Sequence, residues 1–344
     1  MSEYYDGTKL LSLTDINGNK PEIYICTTNR SAGKTTYFNR LAVNRFLDKG
    51  EKFGVLYRFK YELDDCADKF FKDIGGLFFP GKVMTAKSKA KGVYYELFLD
   101  GESCGYALSL NCADQIKKYS HLLSDIQRII FDEFQPESNL YCSNEVAKFI
   151  SIHTSIARGN GKQARYVPVY MISNTVTILN PYYIEMNIAQ RLDRKTKFLR
   201  GDGYVLEQGY HETAAKAQQN SGFNKAFANN KYVAYSSQAI YLVDNEAFVE
   251  RPTGYAKYLA TLRYNGKDFA IKEYREQGVI YCDDKPDYSF PYRITVTTED
   301  HNINYVMLKS CDTFIYSMRY FFEKGCFRFK DLQCKEAVLK ALAY

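Results

Sequence analysis

The stretch Ile23-Tyr-Ile-Cys-Thr-Thr-Asn-Arg-Ser-Ala-Gly-Lys-Thr-Thr36 decides the fold. An apolar, β-prone run, Ile23 to Cys26, enters a polar turn carrying Gly33, Lys34 and Thr35. A helical pattern follows, with Tyr37, Leu41, Phe46 and Leu47 on one side. Strand, turn and helix in that order predict a phosphate loop, because N–H groups at a helix N-terminus cradle phosphate oxygens. Lys34 then supplies a cation to the β- and γ-phosphates, and the Thr35 hydroxyl ligates Mg²⁺. The full pattern has a glycine five positions before Gly33, where this chain has Thr28. A bare Gly-Lys-Thr also closes ordinary strand-to-helix turns.

A second motif decides between those readings. The run Arg128-Ile-Ile-Phe131 ends in Asp132-Glu133. A buried strand that ends in an acidic pair suits nucleotide hydrolysis: Asp132 holds the Mg²⁺ shell and Glu133 polarises the attacking water. The pair follows the phosphate loop in the order that fold requires, and the two motifs together point to a nucleotide site with ATP and Mg²⁺ as cofactors.

Two further residues allow two readings each, and a third is marked by its position. The strand Tyr166 to Ile172 ends at Ser173-Asn174. Asn174 either forms a turn or senses the γ-phosphate at the sheet edge where open α/β folds bind ligands. Arg158 ends an amphipathic helix (Val146, Phe149, Ile150, Ile156) before Gly159-Asn-Gly161. It either complements the helix dipole or reaches a neighbour's nucleotide as an arginine finger. Arg58 ends a strand, Phe53 to Arg58, near the expected nucleotide.

Bulk composition sets broad limits. A chain of 344 residues with 46% hydrophobic residues holds two domains with proper cores. The net charge of +6, from 46 cations and 40 anions, fits a nucleic-acid partner without requiring one. Nine cysteines form no Cys-x-x-Cys pair and do not cluster with the four histidines, so zinc is not expected and reduced thiols are. The N-terminus does not read as a signal peptide, and no apolar run suits a bilayer span.

Basic segments are candidates for nucleic-acid contact. Lys82 to Asp100 reads as a hairpin with Lys87, Lys89 and Lys91 crowding its tip, either a solvated turn or a finger on a phosphate backbone. Lys117 and Lys118 precede the Asp132 strand. The run Arg191 to Arg200 carries five cations and one anion, on a solvated face or against a partner.

Strands and helices alternate to Asn180-Pro181, which predicts an α/β first domain. Residues 211–230, rich in Ala, Lys, Gln and Asn, read as a polar helical linker. Short β-type runs then begin at Tyr258, Phe269, Gly278 and Tyr292, with Asn265-Gly266 as a hairpin turn, and helical segments close the chain around Cys311 to Lys324 and Asp331 to Leu342. This predicts an α+β second domain. A two-metal nuclease needs carboxylates converging from strand ends. Asp268, Asp283 and Asp284 read as loop acids, which favours a binding domain over a nuclease.

With these residues assembled, the chain resembles the DNA-packaging (encapsidation) ATPases of φ29-like small tailed bacteriophages over nearly its whole length. The resemblance rests on Arg30 to Thr35, Ile129 to Phe134, Ile172 to Tyr183, Leu262 to Gly266 and Thr295 to Asp300. It implies a terminase-like, ASCE (RecA-like) P-loop ATPase domain over 1–205, a helical linker over 206–232, and an RNase H-like vestigial nuclease domain over 233–344. It implies nucleotide binding by Arg30, Ser31, Ala32, Gly33, Lys34, Thr35 and Thr36, with Arg158 acting in trans. It also implies a homo-oligomeric ring of five at the procapsid portal in the host cytoplasm, driving double-stranded DNA inward, in some relatives docked on a packaging RNA. The alternative is a terminase-like large subunit whose C-terminal nuclease is active. Two remoter rivals are a nucleotide-gated scaffold and a small-molecule kinase, the latter disfavoured because Asp132-Glu133 suits water as acceptor.

Overall fold

Ile23–Thr28 (β1) is buried from its second residue onward, as a strand covered on both faces of a parallel sheet must be. A computed structural model of the chain describes residues 4–342 apart from 139, 159–160, 162, 178–179, 189–190, 193–195 and 239–248. In chain order, α1 (Thr8–Ser12) precedes β1. There follow α2 (Lys34–Lys49), β2 (Lys52–Tyr57), α3 (Cys66–Phe78), β3 (Met84–Lys89), β4 (Tyr94–Leu99), β5 (Glu102–Ser109), α4 (Ala113–Ile116), α5 (Ser120–Leu123), β6 (Ile126–Asp132), α6 (Glu145–Ala157), β7 (Val169–Asn174), α7 (Pro181–Glu185), β8 (Phe198–Gly201) and β9 (Tyr204–Gln208). Three helices, α8 (Glu212–Asn220), α9 (Gly222–Ala226) and α10 (Lys231–Gln238), come next.

The described strands of this part form one sheet in the order β3-β4-β5-β2-β6-β7-β1-β9-β8. From β5 to β9 neighbours run parallel, with an antiparallel strand pair at one end and β8 at the other. β1 therefore lies between β7 and β9, and β7 separates it from β6. Phe38, Ala42, Val43 and Phe46 of α2 pack in one core with Tyr24, Cys26, Ile130, Tyr170 and Ile172 of the sheet. The stripe runs through 38, 42 and 46, one residue on from the expected 37 and 41. Tyr37 and Leu41 flank it half-buried and Leu47 is exposed. On α6 the buried face carries Phe149, Ile152 and Ile156, whereas Ile150, expected inside, is exposed.

The chain divides into two units. The first comprises Met1–Val176 with Leu192–Leu242, and the second Thr177–Arg191 with Val243–Tyr344. The sequence boundaries at 205 and 232 fall elsewhere for a physical reason. A cut at 205 divides β9, which pairs with β1. The polar linker is helical as expected, but α8 and α10 belong with the first unit. Within the charged run, residues 193–195 lie outside the described residues, Leu192 is buried, and Phe198–Gly201 is an edge strand.

The second unit's sheet contains β10 (Lys257–Tyr264), β11 (Lys267–Tyr274), β12 (Val279–Asp283), β13 (Arg293–Thr295), β14 (Val306–Met307) and β15 (Phe327–Phe329). Their order is β14-β13-β10-β11-β12-β15. Asn265 and Gly266 join β10 to β11 with φ of 50° and 71°, the left-handed pair that a tight hairpin requires. Helices α11 (Asp312–Glu323) and α12 (Leu332–Leu342) place Ile315, Met318, Ala337 and Val338 in one core with Leu262, Ile271 and Phe327. The two-residue β14 and three-residue β15 were not expected, being too short to show a period.

Of the acids read as loop groups, Asp268 and Asp283 lie in strands and only Asp284 is in a loop. Asp283 is a buried residue of β12 clasped by Lys272 at 2.7 Å. Asp268 sits in β11 and accepts from Arg263, Tyr288 and Tyr305. Asp284 is exposed and bonded to Lys330. Each carboxylate is neutralised separately, which keeps the three from sharing a cation. Among the described residues no helix is long and apolar enough to cross a membrane.

Candidate nucleotide site

Four sequence-predicted residues meet at the C-terminal edge of the parallel strands. Gly33 caps α2 in a left-handed conformation, φ 90°, so that the helix starts at Lys34 and its first N–H groups face outward from the turn. Ser31 is also left-handed, at φ 60°. Thr28, by contrast, is the buried last residue of β1, so its position needs no glycine.

Lys34 is buried, and its ammonium donates to Asn174 Oδ1 at 2.7 Å. The Thr35 hydroxyl donates to Asp132 Oδ2 at 2.8 Å. Because β7 lies between β1 and β6, Asn174 is set between the loop and the acidic pair. Burial lowers the Lys34 pKa, and Asp132 opposes that shift. Burial raises the Asp132 carboxyl, opposed first by Lys34.

Glu133 follows Asp132 at φ 54°, a left-handed conformation that costs a residue with a Cβ. Two contacts impose it. Its N–H donates to Asp132 Oδ1 at 2.9 Å, and its carbonyl accepts from Arg58 at 3.2 Å. Arg58, placed near the nucleotide from sequence, is instead buried and paired with Glu145 at 2.9 Å. It braces the turn beneath Glu133 and so is not available to phosphate. Loss of hydration raises the Glu133 carboxyl, and the like charges of Asp132 and Glu137 add to the rise.

The loop is braced from three further sides. Tyr5 N–H donates to the Ala32 carbonyl at 2.8 Å. Asn29 exchanges two hydrogen bonds with the backbone of His211. Gln218 of α8 donates to the Ser31 hydroxyl at 3.1 Å. Arg30 pairs with Glu137 at 3.3 Å. Glu137, Glu145, the Arg58–Glu145 pair and the α8–α10 contacts were missed from sequence. They lie in irregular or polar segments with no period to mark them, and only Arg58, at a strand end, carried a positional signal.

Arg158 is not brought to this site. It caps the C-terminus of α6 in an extended conformation, exposed, with no polar partner among the described residues. Arg165 ties that helix end to the start of β6 through the carbonyls of Ile156 and Ile126. Asp132 ends the same strand, about 20 Å away at the strand rise of 3.2–3.4 Å per residue.

Of the lysine candidates, Lys87 lies over the Phe98 ring, Lys89 pairs with Glu96, and Lys117 pairs with Asp114. The hairpin strands run on to Lys89, leaving only Lys91 of the three in the turn. Cross-strand partners explain this, since Glu96 faces Lys87 in register. Lys91 and Lys118 are exposed, without an ion pair among the described residues. The Tyr94 and Tyr119 rings meet at a tilt with centroids 5.5 Å apart, which brings the two lysine groups to neighbouring segments.

The Thr35 hydroxyl and the Asp132 carboxylate form a hard, all-oxygen pair. They fit Mg²⁺, which takes one or two protein oxygens and completes its shell with phosphate and water.

The family profile of the podovirus DNA encapsidation protein (Gp16) matches residues 1–342. The DNA packaging protein of Bacillus phage phi29 is 24% identical over 347 residues, covering 100% of this chain and 96% of that protein. That of Bacillus phage B103 is 22% identical over 310 residues, 89% of each. Among solved structures, the bacteriophage Phi-29 viral genome packaging motor assembly is similar with a TM-score of 0.59 at 23% identity, covering 100% of this chain and 98% of that chain. The Phi-28 gp11 DNA packaging motor is similar with a TM-score of 0.62 at 14% identity, covering 99% and 98%. At these identities the structural likeness shows the fold.

Proposed function

The chain belongs to the podovirus DNA encapsidation protein family and is a phage DNA-packaging ATPase, and on that premise we propose how its residues carry the reaction. ATP binds at the loop Arg30, Ser31, Ala32, Gly33, Lys34, Thr35 and Thr36. Lys34 holds the β- and γ-phosphates, Glu133 takes the proton of the attacking water, and Asn174 senses the γ-phosphate. Thr35 and Asp132 would hold Mg²⁺, which would neutralise phosphate charge. The observation that carries this reading is the convergence of Lys34 on Asn174 and of Thr35 on Asp132 at one sheet edge.

Arg158 acts on a neighbour's nucleotide. Its place at the far edge of its own sheet supports that role, since it cannot reach its own site. Subunits assemble as a ring of five on the portal, and double-stranded DNA is the polymer moved. Lys91 and Lys118 are the better candidates for the phosphate backbone, with Lys87, Lys89 and Lys117 already engaged within the chain.

The second unit is an RNase H-like, non-cleaving domain. A three-strand antiparallel meander extended by parallel strands supports the fold, and the separately neutralised Asp268, Asp283 and Asp284 support the loss of cleavage. ATP turnover should rise on adding double-stranded DNA. It should vanish in Lys34→Ala, and fall by orders of magnitude with ATP still bound in Glu133→Gln. Parental turnover in Glu133→Gln would remove that residue from its role. DNA-independent binding without turnover would make the protein a nucleotide-gated scaffold.

A further inference from the structure

Glu137 is a third acid beside the site, and the mechanism above gives it no task. It lies in the turn after β6 and gathers four donors. Its Oε1 accepts from Arg30 at 3.3 Å, from the Tyr235 hydroxyl at 3.0 Å and, more weakly, from the Asn174 amide at 3.5 Å. Its Oε2 accepts from the Tyr232 hydroxyl at 2.8 Å. The Arg30 guanidinium also lies 5.6 Å from the Tyr232 ring centroid. Asn174, at its other end, holds Lys34. One carboxylate thus connects both cations of the phosphate loop with α10, the last described helix of the first unit.

We infer that Glu137 is a positioning residue for hydrolysis: it holds Arg30 and Asn174 in place, yields Arg30 to the terminal phosphate, and transmits that exchange to α10 through Tyr232 and Tyr235. The inference rests on the nucleotide site proposed above.

The physical case is one of competition. Arg30 and Glu137 are both partly exposed, and an ion pair of that kind is weak enough to exchange. A terminal phosphate offers a guanidinium two oxygens and more charge than a carboxylate does. Glu137 is not stranded when Arg30 leaves, because two phenol donors remain. Tyr235 is buried with its hydroxyl on Glu137, so α10 stays pinned at one residue. Tyr232, half-exposed, loses the cation over its ring. The segment 231–238 therefore changes its contacts when Arg30 moves, and by linkage anything that displaces α10 changes the affinity for ATP.

The test uses the full chain with double-stranded DNA, comparing parent, Glu137→Gln, Tyr232→Phe and Lys34→Ala. Steady-state kcat and KM for ATP, the unfolding midpoint, and hydrogen exchange over 231–238 with and without a slowly hydrolysed ATP analogue are read for each. Glu137→Gln removes the charge that draws Arg30, so KM falls about fivefold, while kcat falls about tenfold or more because a neutral amide holds Asn174 and Arg30 less firmly in place. Tyr232→Phe keeps the loop charges, retains the parental KM, and loses the analogue-dependent change in exchange over 231–238. Parental kcat and KM in Glu137→Gln would overturn the inference. So would losses that only track a lower unfolding midpoint, or an exchange pattern over 231–238 that the analogue does not alter in the parent. If Lys34→Ala still binds the analogue, the nucleotide site itself is misassigned. If Lys34→Ala loses it and Glu137→Gln behaves as the parent, only the role of Glu137 fails.

Discussion

Glu133 stands at φ 54°, where a residue with a side chain is strained by about 1–3 kcal/mol. The surroundings raise that carboxyl's pKa through loss of hydration and then through Asp132 and Glu137. The sign of the consequence follows. A base must be ionised, so activity in the free enzyme is lost as pH falls through a value above the ordinary glutamate range of about 4.3. The acid limb of kcat/KM, which reports the free enzyme, should lie above that range and move to lower pH in Glu137→Gln. A limb that stays put would remove the Glu137 charge as a cause. Stability runs the other way. A raised folded-state pKa means the folded chain binds more protons than the unfolded chain between the two values, so this group's contribution falls as pH rises through that window. Glu133→Gln should accordingly abolish turnover while leaving the protein at least as stable at neutral pH, checked by urea unfolding.

At the scale of elements, the turn after β6 is held by an ion pair between two elements that flank it. Arg58 directly follows β2, Glu145 begins α6, and both side chains are almost wholly buried. Removing one partner of such a pair leaves an uncompensated charge and costs about 3–5 kcal/mol. Arg58→Ala should show that loss by denaturant unfolding, together with a fall in kcat of about 10²-fold as Glu133 loses its brace. The double variant Arg58→Met with Glu145→Leu should recover much of the stability and none of the activity. Recovery of both would mean that the pair has no part in aiming Glu133. The same comparison shows what was readable beforehand. Strands β1, β6 and β7 and the residues at their ends are marked by apolar runs that stop at polar groups, and this placed Lys34, Thr35, Asp132, Glu133 and Asn174 together. The buried stripe of α2 was displaced by one residue because Tyr37 and Leu41 are as apolar as Phe38 and Ala42, and only packing chooses between them. Glu137 is a charged residue in a turn and Glu145 a charged residue at a helix start, both indistinguishable in sequence from solvated ones. The pairing of β9 with β1 joins residues far apart in the chain, so no local signal marks 204–208 as part of the first sheet.

At the scale of the whole molecule, the proposed role of Arg158 turns on where the cations of the first unit stand. Lys34 engages Asn174, Arg30 engages Glu137 and Arg58 engages Glu145, so the cations around the acidic pair already have partners. Arg158 is exposed beyond the end of α6, which Arg165 ties to the start of β6. If Arg158 completes a neighbour's site, a subunit without it is defective as a donor yet intact as an acceptor, and a subunit without Lys34 is the reverse. Arg158→Ala and Lys34→Ala should each lack hydrolysis alone, by about 10³-fold or more for the arginine. Mixed in equal amounts under conditions where subunits assemble on DNA, they should regain a fraction of parental turnover. That fraction should rise and then fall as the ratio is varied, because only junctions with an Arg158→Ala acceptor beside a Lys34→Ala donor are complete. A flat zero across all ratios, with assembly confirmed by sizing, would place Arg158 outside the reaction and leave its exposure to the helix dipole.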